Sequence, residues 1–329
     1  MNCAPIIIPT LNRYSHLKNL IDSLLLNNLA EKTELFVGLD YPPEEKYVEG
    51  YHKIRDFLKN LKGFKSVNVI ERSANMGAIE NIKDLIRIVL EKFDAFIFSE
   101  DDNVFSPCFL EYINKGLEKY KDDKNVLSIA GYAYPVAMPE SEHTVIKMQR
   151  YYSDWGFGMW KDRYIELRDT INQSYFDNLF KNPKLTKKLR EKSKKNYVYA
   201  FGLCTPSKAN IRPMDYTSSI YQIINDRYSI MPKISLVKNN GWDNSGIHCK
   251  DSDAKDFAIK NLFINQKISE AKTFDLYSVS DAESDIVNKR CDKSLIGAFD
   301  KAYYKKVRVK EILFRYGILD IFRTLLRKK

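Results

Sequence analysis

The chain has 329 residues, of which 44% are hydrophobic, 29% charged and 13% aromatic, and this composition excludes a mostly disordered protein. Its five cysteines are scattered and odd in number, which argues against a disulfide framework and fits a reducing compartment. No apolar run reaches the roughly 18 residues of a membrane-spanning helix, and the first apolar run is too short for a signal peptide. We therefore expect a soluble globular protein, attached to a membrane at most at its surface.

The first hundred residues alternate between short apolar runs and segments with helical periodicity. Strands are predicted for APIIIP, ELFVGLD, SVNVIER and DAFIFSEDD, and helices for Tyr14–Asn27, for KYVEGYHKIRDFLKNL and for Ile79–Lys92. Four alternations of this kind predict a mostly parallel α/β sheet covered by helices. In such sheets ligands bind at the carboxyl ends of the strands. After Pro107 we expect short strands, loops and aromatic residues to dominate.

The net charge of +10 is concentrated in two stretches. Residues 181–195 contain eight basic residues and one acid, and residues 301–329 contain ten basic residues and two acids. The remainder of the chain is net acidic, so we expect no nucleic-acid partner. The first stretch is polar nearly throughout, which favours a solvated helix or loop over a site for an anionic lipid or a diphosphate.

The C-terminal stretch VKEILFRYGILDIFRTLLRKK predicts a helix with an apolar stripe and basic residues beside or opposite it. A basic amphipathic helix can lie in the surface of an anionic membrane. It can also pack on the core with its basic face in solvent, and this alternative stays open. We favour attachment to an anionic membrane surface.

Three consecutive acids, Glu100, Asp101 and Asp102, follow the fourth predicted strand. If the extended geometry continues, Glu100 and Asp102 point to one side and Asp101 to the other. Crowded carboxylates raise one another's pKa unless a cation intervenes. Hard oxygen ligands suit Mg²⁺ or Mn²⁺, which usually share their coordination shell with substrate phosphates. A solvated acidic turn, or a cap for the helix that begins near Ser106, is the alternative.

Polar groups follow all four strands in order, as PTLNR, Asp40, ERSANMG and EDD. This set resembles the nucleotide-sugar glycosyltransferases of the GT-A fold. Further on, YYSDWGFGMWKDRY and NNGWDNSGIHC extend the resemblance to bacterial sugar transferases of cell-surface polysaccharide loci, and more distantly to N-acetylglucosaminyltransferase I. The resemblance covers roughly residues 4–250. It implies a GT-A domain over 1–270, with a nucleotide-binding half at 1–105 and an acceptor half at 106–270, followed by a basic helical extension at 271–329.

The resemblance also implies roles for individual residues on the donor side. Asp40 would bind the base or ribose, and Asp102 would be the direct ligand of Mn²⁺ or Mg²⁺. The other residues expected at the donor are Thr10, Asn12, Arg13, Arg72, Asn75, Gly77, Glu100 and Asp101. His248 would be a further metal ligand, with a merely hydrogen-bonded loop histidine as the alternative. A plain turn role for Asp40 and a helix-start role for Gly77 also stay open.

On the acceptor side, Trp155, Gly156 and Trp160 are expected to meet a sugar, because tryptophan faces stack on sugar rings and glycine allows close approach. Two core tryptophans that anchor a loop are the alternative. By the resemblance Asp215 would be the catalytic base, although Met214 stands where the family commonly has tryptophan. Asp154 is the second candidate for the base.

These features predict a metal-dependent, inverting glycosyltransferase with a UDP-linked donor. Its expected acceptor is a growing cell-surface glycan on a lipid carrier, met by a cytoplasmic protein at the inner face of the plasma membrane. A sugar-nucleotide nucleotidyltransferase is one alternative, but PTLNR lacks the glycine-rich loop that such an enzyme needs. A retaining transferase, which would not need Asp215 as base, and a basic non-enzymatic binder are the others.

Overall fold

The computed structural model describes residues 3–204, 214–243, 261–275, 278–295 and 301–318. Its strands are β1 (Ile6–Thr10), β2 (Glu34–Leu39), β3 (Ser66–Glu71), β4 (Ala95–Phe98), β5 (Asn103–Phe105), β6 (Val126–Ala130), β7 (Val145–Met148), β8 (Phe157–Trp160), β9 (Tyr228–Pro232) and β10 (Val237–Asn239). Its α-helices are α1 (Tyr14–Leu25), α2 (Val48–Lys59), α3 (Ala78–Leu90), α4 (Phe109–Lys119), α5 (Lys161–Thr170), α6 (Gln173–Lys181), α7 (Pro183–Lys192), α8 (Lys194–Leu203), α9 (Met214–Ile224), α10 (Asp281–Leu295) and α11 (Lys301–Arg315).

The central sheet has eight strands in the order β3-β2-β1-β4-β8-β6-β9-β7. The first four pair in parallel, and so do β6 and β9. Strand β8 is antiparallel to both of its neighbours, and β7 is antiparallel to β9. The predicted mostly parallel α/β sheet is thereby confirmed, and its first four strands lie where the apolar runs indicated.

Strand β1 is buried on both faces, which explains why its apolar run does not alternate with polar residues. Ile6 and Ile8 pack in one cluster with Leu20 of α1, whereas Ile7 packs in another with Leu85 of α3. Side chains alternate across a strand, so consecutive isoleucines serve opposite layers of helices. The fixed position of β1 between these layers holds the polar residues after it at the sheet edge.

Residues 161–224 differ from the prediction for the second half of the chain. Five helices, α5 to α9, occupy most of this segment, where short strands and loops were expected, so that expectation was wrong here. Asn172, Asn182 and Ser193 accept hydrogen bonds from backbone amides at the starts of α6, α7 and α8, which is the usual role of such residues at helix N-termini. Helices α6 to α9 are short, and they are stabilised by packing in one shared cluster around Phe180 and Tyr197.

The two last described helices pack on the same body. Val287 and Cys291 of α10 contact the cluster of Ile146 and Met148 on β7, and Val307 of α11 lies in the cluster of α6 to α9. The packed-helix alternative therefore holds for the C-terminal stretch as far as Arg315, while residues 319–329 lie outside the described ones. The domain boundary at 270 stays a prediction. Among the described helices, none is long and apolar enough to cross a membrane.

Candidate functional site

The polar residues that follow β1, β2 and β4 meet at one edge of the sheet. The amide of Asp40 donates to the carbonyl of Thr10 at 2.9 Å, which joins the ends of β1 and β2. The Thr10 hydroxyl donates to the Asp101 carboxylate at 2.8 Å, which joins the ends of β1 and β4. This edge is the carboxyl end of the parallel strands, where ligands bind in open α/β sheets.

Asp40 is buried, and its carboxylate accepts four hydrogen bonds. One oxygen accepts from the amides of Tyr41 and Met76, both at 2.9 Å. The other accepts from the amide of Gly77 at 2.9 Å and from the side chain of Asn75 at 3.2 Å. A carboxylate has about four acceptor sites, so those of Asp40 are filled by the turn at 75–77 together with the Tyr41 amide. Its predicted contact with a base or ribose stays a prediction.

Gly77 and Arg72 both serve the start of α3. Gly77 has φ 75° and ψ 156°, a conformation essentially restricted to glycine, and nothing lies within 4 Å of where a Cβ would stand. Arg72 donates to Asn81 at 3.0 Å and to Asp84 at 2.6 Å, both on α3. The predicted donor residues Arg72, Asn75 and Gly77 are therefore engaged in positioning the turn and its helix.

Arg13 is the counter-ion of the acids that follow β4. Its guanidinium pairs with Asp101 and, at 2.9 Å, with Asp102. Asp102 also accepts from the side chain of Asn239 at 2.6 Å, across the β5–β10 ribbon. Both carboxylates are buried. Asn12 precedes Arg13 at the start of α1, and its backbone carbonyl accepts a hydrogen bond from the Tyr14 amide at 3.0 Å.

The charge on these acids is only partly compensated. Burial raises the pKa of Glu100 to about 8, and the carboxylates of Asp102 and Asp101 add to the shift. Burial also raises the pKa of Asp101, although Arg13 opposes it. Three carboxylates beside one guanidinium carry an excess of negative charge when ionised, and a further cation would favour their ionised forms.

Asp154 and Asp215, the two candidates for the base, are brought together. Burial raises the pKa of Asp154 well above its usual range, with further increases from Asp215 and Glu100, and a hydrogen bond to the backbone of Asp215 opposes the shift. Asp215 lies in the first turn of α9, where its carboxylate accepts from the Tyr216 amide at 2.7 Å. Asp154 therefore links Asp215 to the acids after β4, and such neighbours share protons as a group.

An aromatic wall adjoins these acids. It consists of Trp155, Tyr132, Trp242 and Phe263. Ring centroids of Trp155 lie 4.8 Å from Tyr132 and 5.7 Å from Phe263, both edge to face, and Trp242 stacks on Phe263 at 5.6 Å. Both tryptophans are only half-buried. The wall therefore places partly exposed aromatic side chains next to Asp154 in the chain and next to Gly241, which lies against Asp102.

Asn239, Gly241 and Trp242 of the segment NNGWDNSG lie at the site although they were not predicted as site residues. A Cβ on Gly241 would overlap the Asp102 carboxylate, so glycine lets this loop close over the acid. The Gly-Trp pair is the sequence signal for these residues, and His248 of the same segment lies outside the described residues.

Gly156 and Trp160 have structural surroundings. Gly156 has φ 69°, and a Cβ there would come within 2.8 Å of Val237 and 2.9 Å of Phe105, so protein atoms fill the space that glycine leaves. Trp160 pairs with Ala95 at the beginning of β4, and its indole donates to the carbonyl of Leu117 at 3.1 Å. Trp160 is thus at the opposite end of β8 from the acids, as the core-tryptophan alternative expects.

The acids fit a divalent cation that shares its ligands with a substrate. Among the described residues, no three His, Cys, Asp or Glu side chains form a group that could hold a metal ion by themselves. Mg²⁺ commonly takes only one or two carboxylates and completes its shell with water and substrate phosphates. Asp102 and Asp101 would supply oxygen ligands of this kind, and a cation there would offset the crowding that raises the pKa of Glu100.

Comparisons with known proteins bear on the whole arrangement. Residues 6–185 match the sequence profile of Glycosyl transferase family 2. A structure of S. aureus TarS residues 1–349 is similar with a TM-score of 0.44 and 11% identity, over 98% of this chain and 89% of that one. No curated protein sequence matches the chain.

Two further structures are similar over shorter stretches. Another S. aureus TarS structure has a TM-score of 0.29 and 14% identity, over 43% of this chain and 24% of that one. The mannosyltransferase PcManGT from Pyrobaculum calidifontis, in complex with GDP-Man and Mn²⁺, has a TM-score of 0.32 and 11% identity. That match covers 50% of this chain and 45% of the mannosyltransferase.

Proposed function

The chain belongs to glycosyl transferase family 2, and we propose that it transfers a sugar from a nucleotide sugar at the acids after β4. It is a glycosyltransferase with an α/β fold of the GT-A type, which removes the nucleotidyltransferase and the non-enzymatic alternatives. The observation that carries the proposal is the group of Glu100, Asp101 and Asp102 at the carboxyl edge of the sheet, with Arg13 as its counter-ion.

On the donor side, Asp102 would hold Mn²⁺ or Mg²⁺, and His248 stays a predicted second ligand. The bound ion would neutralise the diphosphate that leaves as the sugar is transferred. Thr10 holds the Asp101 carboxylate in place at 2.8 Å, and Arg13 orients both aspartates. The donor is proposed to be UDP-linked, with Asp40 and the turn at 75–77 shaping the nucleoside end of its site.

Transfer is proposed to proceed with inversion, and Asp215 to act as the base. The acceptor hydroxyl oxygen forms a bond to the anomeric carbon while its proton passes to the Asp215 carboxylate. The bond from that carbon to the diphosphate oxygen breaks, and the electron pair leaves with the nucleotide. The raised pKa of Asp154 supports Asp215 rather than Asp154 as the base, because a carboxyl group that holds its own proton cannot take one from the acceptor.

The acceptor is proposed to be a growing cell-surface glycan on a lipid carrier. Half-buried Trp155 and Trp242 would supply faces for one of its sugar rings. A lipid-linked acceptor would be met at a membrane, so we propose that the protein acts in the cytoplasm and binds the anionic inner face of the plasma membrane through its C-terminal helix.

The test is release of nucleotide from UDP-, GDP- and CMP-linked sugars by the purified chain, with Mn²⁺ and with a chelator. The proposal expects slow release from one nucleotide class that needs the metal. Asp102→Asn should abolish it, whereas Asp22→Asn, an exposed aspartate paired with Lys18 on α1, should not. Release that persists in chelator would contradict the role of the metal. Absence of release from every donor in the presence of Mn²⁺ would contradict the proposed site.

A further inference from the structure

The two basic stretches of the sequence meet in the folded chain. Helices α7 and α11 share the aromatic cluster around Tyr197. Glu311 of α11 is only 2% exposed, and its carboxylate accepts a hydrogen bond from the Tyr197 hydroxyl of α8 at 2.6 Å. Arg315 pairs with Glu311, and Arg190 of α7 reaches it at 3.9 Å. One buried carboxylate therefore joins the two helices. Lys188 of α7 pairs with Asp226 at 2.6 Å and Lys187 lies 3.8 Å from Glu191, yet both helices keep an excess of positive charge.

That remaining charge lies on exposed sides of both helices. Helix α7 contains five basic residues and one acid, and α11 contains six basic residues besides Glu311. Lys184 and Lys187 of α7 are exposed, and Lys187 is three residues from Arg190, on the adjoining side of the helix. Lys305 of α11 is exposed as well. Both helices that Arg190 and Glu311 join therefore carry exposed lysines.

The outward side of α11 is apolar as well as basic. Val307 and Phe314 face the aromatic cluster. On the other side of the helix Val309 is 58% exposed, Ile312 46% and Tyr316 73%. Lys305, Val309, Ile312 and Tyr316 are spaced by three or four residues and so share one stripe. A stripe of large apolar residues among lysines is typical of helices that lie at a lipid headgroup layer.

We propose that Lys184, Lys187, Lys305, Ile312 and Tyr316 form one docking face for an anionic lipid surface. The lysines would approach the headgroup phosphates while Ile312 and Tyr316 enter the boundary of the acyl chains. Two copies of so basic a face repel each other, and exposed isoleucine gains nothing from a nucleic-acid backbone. This inference deepens the membrane association proposed above by assigning part of it to α7, and it needs none of the transfer chemistry.

The experiment is co-sedimentation of the full chain with phosphatidylcholine vesicles, with and without phosphatidylglycerol. Each lysine near an anionic surface changes affinity about fivefold, so Lys184→Glu with Lys187→Glu should weaken binding to the anionic vesicles about tenfold or more. Ile312→Ser with Tyr316→Ser should weaken it without changing its salt dependence. Lys59→Glu with Lys62→Glu, the same charge change at the exposed end of α2, should bind like the unaltered chain.

A truncation separates this face from the terminal residues. Removal of 309–329 would take Glu311 and Phe314 out of the packed cluster, so the cut belongs after Ile318. The chain ending there should still bind anionic vesicles, and the α7 pair should weaken that binding further. Lys184→Gln with Lys187→Gln replaces the reversal if its melting temperature falls.

Three results would overturn the inference. One is an α7 variant that binds like the unaltered chain. Another is binding that ignores phosphatidylglycerol. The third is binding of the chain to duplex nucleic acid without co-sedimentation with the anionic vesicles. Vesicle binding is measured without donor or acceptor, so its failure leaves the proposed transfer reaction untouched, and failure of nucleotide release leaves the docking face untouched.

Discussion

Two groups of acids at the same edge of the sheet differ in how their charge is met. Asp40 has four donors on its carboxylate, three of them backbone amides. Glu100, Asp101 and Asp102 are crowded beside Arg13, and the pKa of Glu100 rises to about 8. An acid after a parallel strand can therefore either stabilise a turn or contribute to a group of carboxylates whose charge is only partly compensated. Its hydrogen-bond partners, rather than its position, tell the two apart.

Of the variants that compare the two groups beyond Asp102→Asn, the largest effect is expected within the acidic region, at the proposed base. Asp215→Asn should lower kcat by about 10² or more, because an amide cannot take the acceptor proton. Donor affinity should be kept, since the proposed donor site lies at the acids after β4. Steady-state rates together with donor titration check this, and a collapse of donor affinity at unchanged kcat would make Asp215 a binding residue.

In the turn region the expected effect falls on stability. Asp40→Asn keeps the shape of the side chain but turns one of its two acceptors into a donor that faces backbone amides. An unmet buried group of this kind costs about 1–3 kcal/mol in the free energy of unfolding. Urea denaturation measures it, with the exposed Asp22→Asn, expected within about 0.5 kcal/mol of the unaltered chain, as control. If stability is unchanged and nucleotide binding is lost, Asp40 would instead be a residue that binds the nucleoside.

A smaller effect is expected at Gly77, because only its backbone conformation is at stake. Gly77→Ala should lower the free energy of unfolding by about 1–2 kcal/mol through strain at positive φ. Gly202→Ala is the matched control, since a Cβ is equally unobstructed there but the residue lies within α8. Alanine in a helix should raise stability by up to about 1 kcal/mol. Equal signs for the two variants would contradict the role of the turn.

The pH dependence of stability sharpens the comparison on the acidic side. The pKa of Glu100 is raised from 4.5 to about 8, so the folded chain binds this proton more tightly than the unfolded chain. Its contribution to stability is complete below pH 4.5 and is lost as the pH rises through about 8. Thermal melts over that range should show the decline, and Glu100→Gln should reduce it. A midpoint that rises across this interval in the unaltered chain, but not in Glu100→Gln, would contradict the crowding of these acids.

Much of the first half of the fold could be predicted, because the local spacing of apolar residues indicates β1 to β4 and the helices that follow them. The position of β8 between β4 and β6 could not, since antiparallel insertion depends on pairing between Phe98 and Phe157, far apart in the sequence. Asn239 reaches Asp102 by the same kind of distant pairing. Trp155 and Trp160 look equivalent in the motif, yet β8 carries Trp160 away from the acids, and no local pattern reveals where a strand runs.

Binding of nucleoside diphosphate tests the central claim most directly. UDP and GDP are titrated calorimetrically into the unaltered chain and into Asp102→Asn, with Mn²⁺ and after chelation. The account predicts that one nucleotide binds the unaltered chain only with Mn²⁺, and that Asp102→Asn loses this dependence together with most of the affinity. Equal affinity for that nucleotide in all four conditions would contradict a cation-dependent donor site at the acids after β4.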